Sequence, residues 1–116
     1  MTGLRDVVRA LATRPGVTAV MVVSGDGLTI DQAGTGLDAD TVAALVPAIV
    51  SNARRLGQSA GQGELALGAF EYAGSAAVVA TLGSDAILLV FCGKEADIGQ
   101  LLFDLSAHRT ALAQLV

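Results

Sequence analysis

The sequence predicts a single α+β domain, an α/β fold class in which helices cover both faces of an antiparallel sheet. Its elements follow the order α-β-β-α-β-β-β-α, and the turns inside each group of strands are too short for parallel crossovers. The segments AAVVATL (76–82) and AILLVF (86–91) are almost continuously apolar, whereas an antiparallel strand with one solvated face alternates. We therefore expect helices on both sheet faces. The length of 116 residues suits one domain, residues 1–116.

A short helix and a hairpin are predicted first. Apolar residues repeat at helical spacing between Thr2, a possible cap, and the stop signal Pro15-Gly16. Residues 17–23 and 28–32 are rich in β-branched side chains and flank Ser-Gly-Asp-Gly (24–27), a strong hairpin signal. The glycines and lysine of phosphate loops and the several oxygen ligands of calcium loops do not accompany it, so we interpret this segment as a turn without ligand.

A long second helix is predicted over residues 40–60, with Asp38 or Asp40 as its cap and a bend near Ala43 caused by Pro47. Its apolar arc is about twice as wide as packing on one sheet face requires. The extra width predicts a contact outside the protomer. The stripe expected on the sheet contains Val42, Leu45, Val46, Ile49, Ala53 and Leu56, and the flank adds Ala43, Pro47 and Val50.

A three-stranded meander and a last helix complete the chain. The strands are expected at residues 64–72, 76–82 and 86–92, with short glycine-containing turns between them. The third helix is expected from about residue 96 to residue 115, with leucines along one side.

Composition excludes several classes of function. The net charge is −4 and the basic residues are scattered, which argues against nucleic-acid binding. No apolar run reaches membrane-spanning length, so membrane insertion is not expected. The lone Cys92 suits a reducing compartment and predicts a cytoplasmic location. Hydrophobic residues make up 53% and charged residues only 16%, which predicts exposed apolar patches and association.

The residue inventory does not favour catalysis. His108 is the only histidine, and without an identifiable acid and nucleophile it is expected to pack at a sheet edge. Cys92 ends an apolar strand, which favours a buried inert thiol. One histidine and one cysteine fall short of a zinc site. We therefore predict no enzyme, no cofactor and no metal.

The chain resembles the roadblock/dynein light chain family, and in particular its bacterial MglB-like members, which partner small Ras-like GTPases. The resemblance rests on the hairpin GVTAVMVVSGDGLTID (16–31), the long helix, the meander, and EADIGQLLFDL (95–105) after Gly93. It implies a roadblock/profilin-like α-β-α sandwich whose five-stranded antiparallel sheet has the order 2-1-5-4-3, with one helix on one face and two on the other. It also implies a homodimer in which the third strands pair edge to edge and the second helices pack together.

Two interaction surfaces follow as expectations. The expected dimer interface contains Val42, Val46, Ile49, Val50, Ala53, Leu65, Leu67 and Phe70. The candidates for binding a small Ras-like GTPase are Asn52, Arg54, Arg55 and Gln58. A non-catalytic scaffold joining larger assemblies is the alternative function, and a small-ligand sensor is a weaker one because the wide apolar arc suits a protein contact better than a polar cavity.

Overall fold

The computed structural model describes residues 3–116, in which three helices and five strands follow the predicted order. The sheet is antiparallel throughout and has the strand order β2-β1-β5-β4-β3, so the expected fold and topology are confirmed. Among the described residues, no helix is both long and apolar enough to cross a membrane. The elements are α1 (Leu4–Ala12), β1 (Val17–Ser24), β2 (Thr29–Gly34), α2 (Ala39–Ser59), β3 (Leu67–Tyr72), β4 (Ser75–Leu82), β5 (Ala86–Cys92) and α3 (Ile98–Ala113).

Helices cover both faces of the sheet, which explains the continuous apolar character of β4 and β5. On one face, α1 and α3 bury Val8, Leu101 and Leu105 against alternate strand residues such as Val78 and Leu88. On the other face, α2 alone buries Ala43, Val46 and Val50 against Met21, Val79 and Leu89. Each face thus contributes one of the two apolar clusters that hold the protomer together.

Side-chain caps fix where the two longer helices begin. The Asp38 carboxylate accepts hydrogen bonds from the backbone N–H (3.4 Å) and the hydroxyl (2.7 Å) of Thr41, so Asp38 rather than Asp40 caps α2. Asp97 caps α3 by accepting from the N–H of Gln100 at 3.0 Å. The first helix begins after Gly3, and the predicted cap Thr2 lies outside the described residues.

The assigned helix α2 continues through Pro47. Proline has no N–H to donate to the carbonyl oxygen of Ala43, the residue four positions earlier. The glycine of the first hairpin turn, Gly27, comes close to this carbonyl: a Cβ atom built on Gly27 would stand 3.2 Å from the Ala43 oxygen. The proline therefore coincides with a close contact between the turn and the helix.

The third strand begins at Leu67, three residues later than expected. The backbone N–H of Thr81 on β4 donates to the carbonyl oxygen of Ala66 at 3.1 Å, but the carbonyl oxygen of Thr81 accepts from Arg109 Nε, also at 3.1 Å. An arginine side chain from α3 therefore occupies the acceptor that a longer third strand would use, and regular pairing ends there.

Candidate interaction surface

An apolar groove of about 160 Å³ runs between α2 and β3 on the sheet face that α2 covers. Leu45 and Ile49 of α2 line one side and are 58% and 44% exposed, while Phe70 and Tyr72 of β3 line the other and are 42% and 60% exposed. Isolated apolar side chains on a surface are ordinary, whereas these four large ones form one exposed apolar patch around a single groove.

The predicted interface residues on α2 fall into two groups. Val46 and Val50 are almost completely buried against the sheet of the same protomer and form the floor of the groove. Val42 and Ala53 are half-buried, and Ile49 is the member with the most exposed apolar surface. The groove therefore offers a partner Ile49 and the neighbouring Leu45 more than the two buried valines.

The predicted orientation of α2 is wrong in part: Val42 and Val46 of the expected stripe do pack towards the sheet. Ala43, Val46 and Val50 face the sheet, whereas Leu45 and Leu56 of the stripe that was expected on the sheet are exposed. An apolar arc this wide fits the sheet in more than one rotation about the helix axis, so periodicity alone cannot select the buried stripe. The large apolar residues of α2 that remain exposed are Leu45, Ile49 and Leu56.

The predicted contact segment on β3 is divided between the two faces of the sheet. Phe70 pairs with Ala77 and lines the groove. Leu67 pairs with Ala80, whose side chain belongs to the core under α1 and α3, so Leu67 packs on the opposite face. Leu65 precedes the strand, and its carbonyl oxygen accepts a hydrogen bond from the Thr81 hydroxyl at 2.9 Å.

Leu45 and Tyr72 are groove residues that were absent from the predicted interface. Tyr72 lies two residues after Phe70, and the period of two along a strand places both on one face. Leu45 lies four residues before Ile49, which places both on one side of the helix. The sequence thus contained a signal for both residues.

The four polar candidates for partner binding do not form one cluster. Arg54 is half-buried, and together with Gln58 it lines a polar cavity of about 370 Å³ near the end of α2. Asn52 and Arg55 are exposed and do not line that cavity. The same cavity contains Arg109 of α3, a residue that no sequence pattern singled out.

The first hairpin turn has the conformation that its glycines predict. The N–H of Gly27 donates to the carbonyl oxygen of Ser24 at 3.0 Å, and the Ser24 hydroxyl accepts from the N–H of Leu28 at 3.1 Å. Gly27 has φ +83°, a backbone conformation that residues with a Cβ rarely adopt. The side chain of Asp26 is exposed, and the segment closes β1 onto β2 as a turn.

His108 does not pack at a sheet edge as expected. It is exposed and lines a groove between α1 and α3, beside an ion pair in which Arg14 Nη1 donates to Asp104 Oδ2 at 2.9 Å. Hydrogen bonds from Arg14 and then from Gln100 hold the pKa of the Asp104 carboxyl below its usual range. This ion pair connects the segment that follows α1 to α3.

Cys92 lies at the end of β5 and is 1% exposed. Burial raises the pKa of its thiol, an effect only partly opposed by the positive charge of Arg14. A thiol that is protonated at neutral pH is a poor nucleophile. The expected burial of Cys92 is confirmed. Within residues 3–116, no three histidine, cysteine, aspartate or glutamate side chains gather as metal ligands would.

Comparison with known proteins agrees with this architecture. Residues 4–91 match the family model described as the Roadblock/LC7 domain. No curated protein matches the sequence significantly. A Roadblock/LC7 domain from Streptomyces avermitilis is similar in structure, with a TM-score of 0.78 and 28% identity over 97% of this chain and 93% of that one.

MglB structures are similar in fold at lower identity. Myxococcus xanthus MglB has a TM-score of 0.86 and 20% identity over 97% of this chain and 93% of its own. An MglB structure with a tetrameric arrangement has a TM-score of 0.84 and 17% identity over 97% and 86% of the two chains. With the family model covering most of its length, this chain belongs to the Roadblock/LC7 domain family and has an MglB-like fold.

Proposed function

We propose that this protein is a cytoplasmic homodimer that regulates a small Ras-like GTPase and has no catalytic chemistry of its own. Membership of the Roadblock/LC7 family supports a small regulatory or adaptor role. The observation that carries the more specific proposal is the apolar groove between α2 and β3, which lies next to an unpaired strand edge. A second copy of the chain could cover both features at once.

The outer edge of β3 has a regular backbone to which another strand could add. Because the N–H of Thr81 bonds to Ala66, the antiparallel alternation directs the backbone groups of Leu67, Ala69 and Glu71 away from β4. All six residues of β3 pair with β4 without irregularity. A regular edge with a row of free N–H and C=O groups is a template for strand addition.

The other edge strand, β2, has features that discourage such pairing. Its register with β1 shifts between Val22 and Val23, which leaves Ile30 as an extra residue in a bulge. Asp31 places a charge beside this bulge. Each edge strand carries one acidic residue, Asp31 in β2 and Glu71 in β3, so the bulge is the feature that distinguishes them and supports β3 as the edge that self-associates.

Self-association has a direct test in the groove. Ile49→Asp would place an unpaired charge in an apolar contact, so we expect it to convert a species of twice the 11.6 kDa chain mass into a monomer in light scattering. Phe103→Asp is the control, because Phe103 is an apolar residue of α3 on the other sheet face and, at 70%, is more exposed than Ile49. A wild-type protein that stays at 11.6 kDa across micromolar concentrations would refute the dimer.

The strand edge can be tested separately. Ala69→Pro removes an N–H that points away from β4, which an edge strand tolerates within the protomer. We expect this variant to be monomeric with a native circular-dichroism spectrum, whereas Ala69→Thr, which keeps the N–H, remains dimeric. A dimeric Ala69→Pro variant would exclude pairing through this edge.

The GTPase contact is proposed for the outer surface of α2, where Asn52 and Arg55 are exposed, and for its end, where Arg54 and Gln58 lie. The likeness to MglB concerns fold alone. The exposed polar side chains of Asn52, Arg55 and Gln58 along α2 are what support a polar partner here. A regulator must bind the two nucleotide states of its GTPase with different affinity, whereas a scaffold need not.

The decisive measurement is a titration with a Ras-like GTPase encoded beside this chain, loaded with GDP or with a non-hydrolysable GTP analogue. We expect the two loaded forms to differ in affinity, and the double variant Arg54→Ala/Arg55→Ala to lose about tenfold or more. Arg9→Ala is the matched control, an exposed arginine on α1 across the sheet. Equal affinity for both forms would favour the scaffold, and an unaffected double variant would exclude this surface.

A further inference from the structure

The polar cavity near the end of α2 brings together side chains from four parts of the chain. It lies between the last turns of α2, the segment before β3 and the turn between β4 and β5, and it reaches α3. Its volume is about 370 Å³. The side chains that matter for its chemistry are Arg54, Gln58, Glu64, Thr81, Ser84 and Arg109.

Arg109 is held in this cavity by two hydrogen bonds to one buried residue. Its Nε donates to the carbonyl oxygen of Thr81 at 3.1 Å, and its Nη2 donates to the Thr81 hydroxyl at 3.3 Å. Thr81 is only 3% exposed and is itself bonded to Leu65. Two of the five guanidinium N–H donors are used, and within residues 3–116 the other three meet no acceptor.

The ionisable side chains that line the cavity give it a net positive charge. It is lined by two arginines and one carboxylate, Glu64, in a chain whose net charge is −4. Within the described part of the chain, the one ion pair joins Arg14 to Asp104. No carboxylate oxygen of these residues therefore lies within 4.0 Å of Arg54 or Arg109. Asp85 lines an adjoining cavity that also contacts Arg54.

We propose that this cavity binds a small tetrahedral oxyanion, inorganic phosphate or a phosphate monoester. The planar guanidinium offers paired N–H donors that match phosphate oxygens, and the one on Arg109 is already oriented by Thr81. Arg54 supplies the second positive charge, and the Ser84 hydroxyl is a further donor. Glu64 repels the anion and limits its affinity.

Inorganic phosphate, titrated at constant ionic strength and followed by amide chemical shifts, tests this site directly. We expect saturable shifts around the cavity, and about tenfold weaker binding for Arg54→Gln. Arg55→Gln is the matched control. Arg55 is exposed, is adjacent to Arg54 in the sequence and lies outside the cavity, so this variant should bind phosphate like the wild type. Equal behaviour of the two arginine variants, or shifts that do not saturate, would overturn the proposal.

The Glu64→Gln variant provides a result that a purely internal role of these residues would not give. Removing the repelling carboxylate should strengthen phosphate binding several-fold, since like charges close together oppose each other. If Glu64 instead serves the arginines as their internal partner, Glu64→Gln will melt earlier and will not bind phosphate more tightly. That outcome overturns the proposal.

A carboxylate probe distinguishes the two kinds of anion. Acetate should bind more weakly than phosphate, and equal or tighter binding of acetate would overturn the assignment to a tetrahedral anion. None of these titrations uses a GTPase. Failure of the anion site is therefore distinguishable from failure of the proposed regulatory function, although Arg54 takes part in both.

Discussion

Replacing Gly27 by alanine should destabilise the protein through two separate effects in one turn. Gly27 has φ +83°, and forcing a residue with a Cβ into the left-handed region costs about 1–2 kcal/mol. The new Cβ would also stand 3.2 Å from the carbonyl oxygen of Ala43 and 3.6 Å from the Cα of Ala44, so α2 would have to move by a few tenths of an ångström. We expect a loss of about 1–2 kcal/mol or slightly more in the free energy of unfolding.

The matched control lies two residues away in the same turn. Gly25 has no positive φ, and a Cβ built on it meets nothing within 4 Å. Gly25→Ala should therefore change the free energy of unfolding by no more than about 0.5 kcal/mol. Urea unfolding at one fixed protein concentration gives both values, since association makes the midpoint depend on concentration. Equal midpoints for the two variants would refute the reasoning.

Two further predictions follow from the titratable side chains. Because hydrogen bonds, first of all from Arg14, lower the folded-state pKa of Asp104 below the ordinary 3.8, their contribution to stability is present at neutral pH and is lost as the pH falls through that lowered value. Asp104→Asn should therefore melt earlier than the wild type at neutral pH, and the difference should vanish in strong acid; a constant difference would contradict this. Because burial raises the pKa of the Cys92 thiol, an aromatic disulfide reagent should react with it only as fast as the protein opens, and much faster in urea. Rapid reaction of the native protein would contradict the assigned burial.

The fold could be predicted from the sequence because its local signals agree with each other. The Asp-Gly turn at residues 26–27, the short turns of the meander and the apolar runs of β4 and β5 all indicate antiparallel strands covered on both faces. The strand order was expected through the family resemblance, since hairpins alone do not specify which strands meet at the centre.

The candidate surface could be predicted only in part, because it depends on rotations and contacts between distant segments. The wide apolar arc of α2 correctly indicated more apolar surface than the sheet requires, but it could not show that Leu45 is exposed while Ala43 is buried. The start of β3 depends on Arg109, which follows Thr81 by 28 residues and has no local pattern that indicates the contact. Tertiary contacts of this kind override strand propensity.

The central pairing of β1 with β5 has a consequence for how the chain folds. The β1–β2 hairpin and the β3–β4–β5 meander each form from neighbouring segments, but only the β1–β5 ladder, from Val17 with Cys92 to Ser24 with Ala86, joins them into one sheet. Closing so long a loop is costly in chain entropy before its contacts form, and such topologies fold slowly. Until that ladder forms, β5 has no partner on its β1 side, and α1, which packs on β1 and β2, cannot join α3, which packs on β4, on their common face. We therefore expect folding to be limited by this long-range pairing, with the half-assembled meander as the species most prone to aggregate.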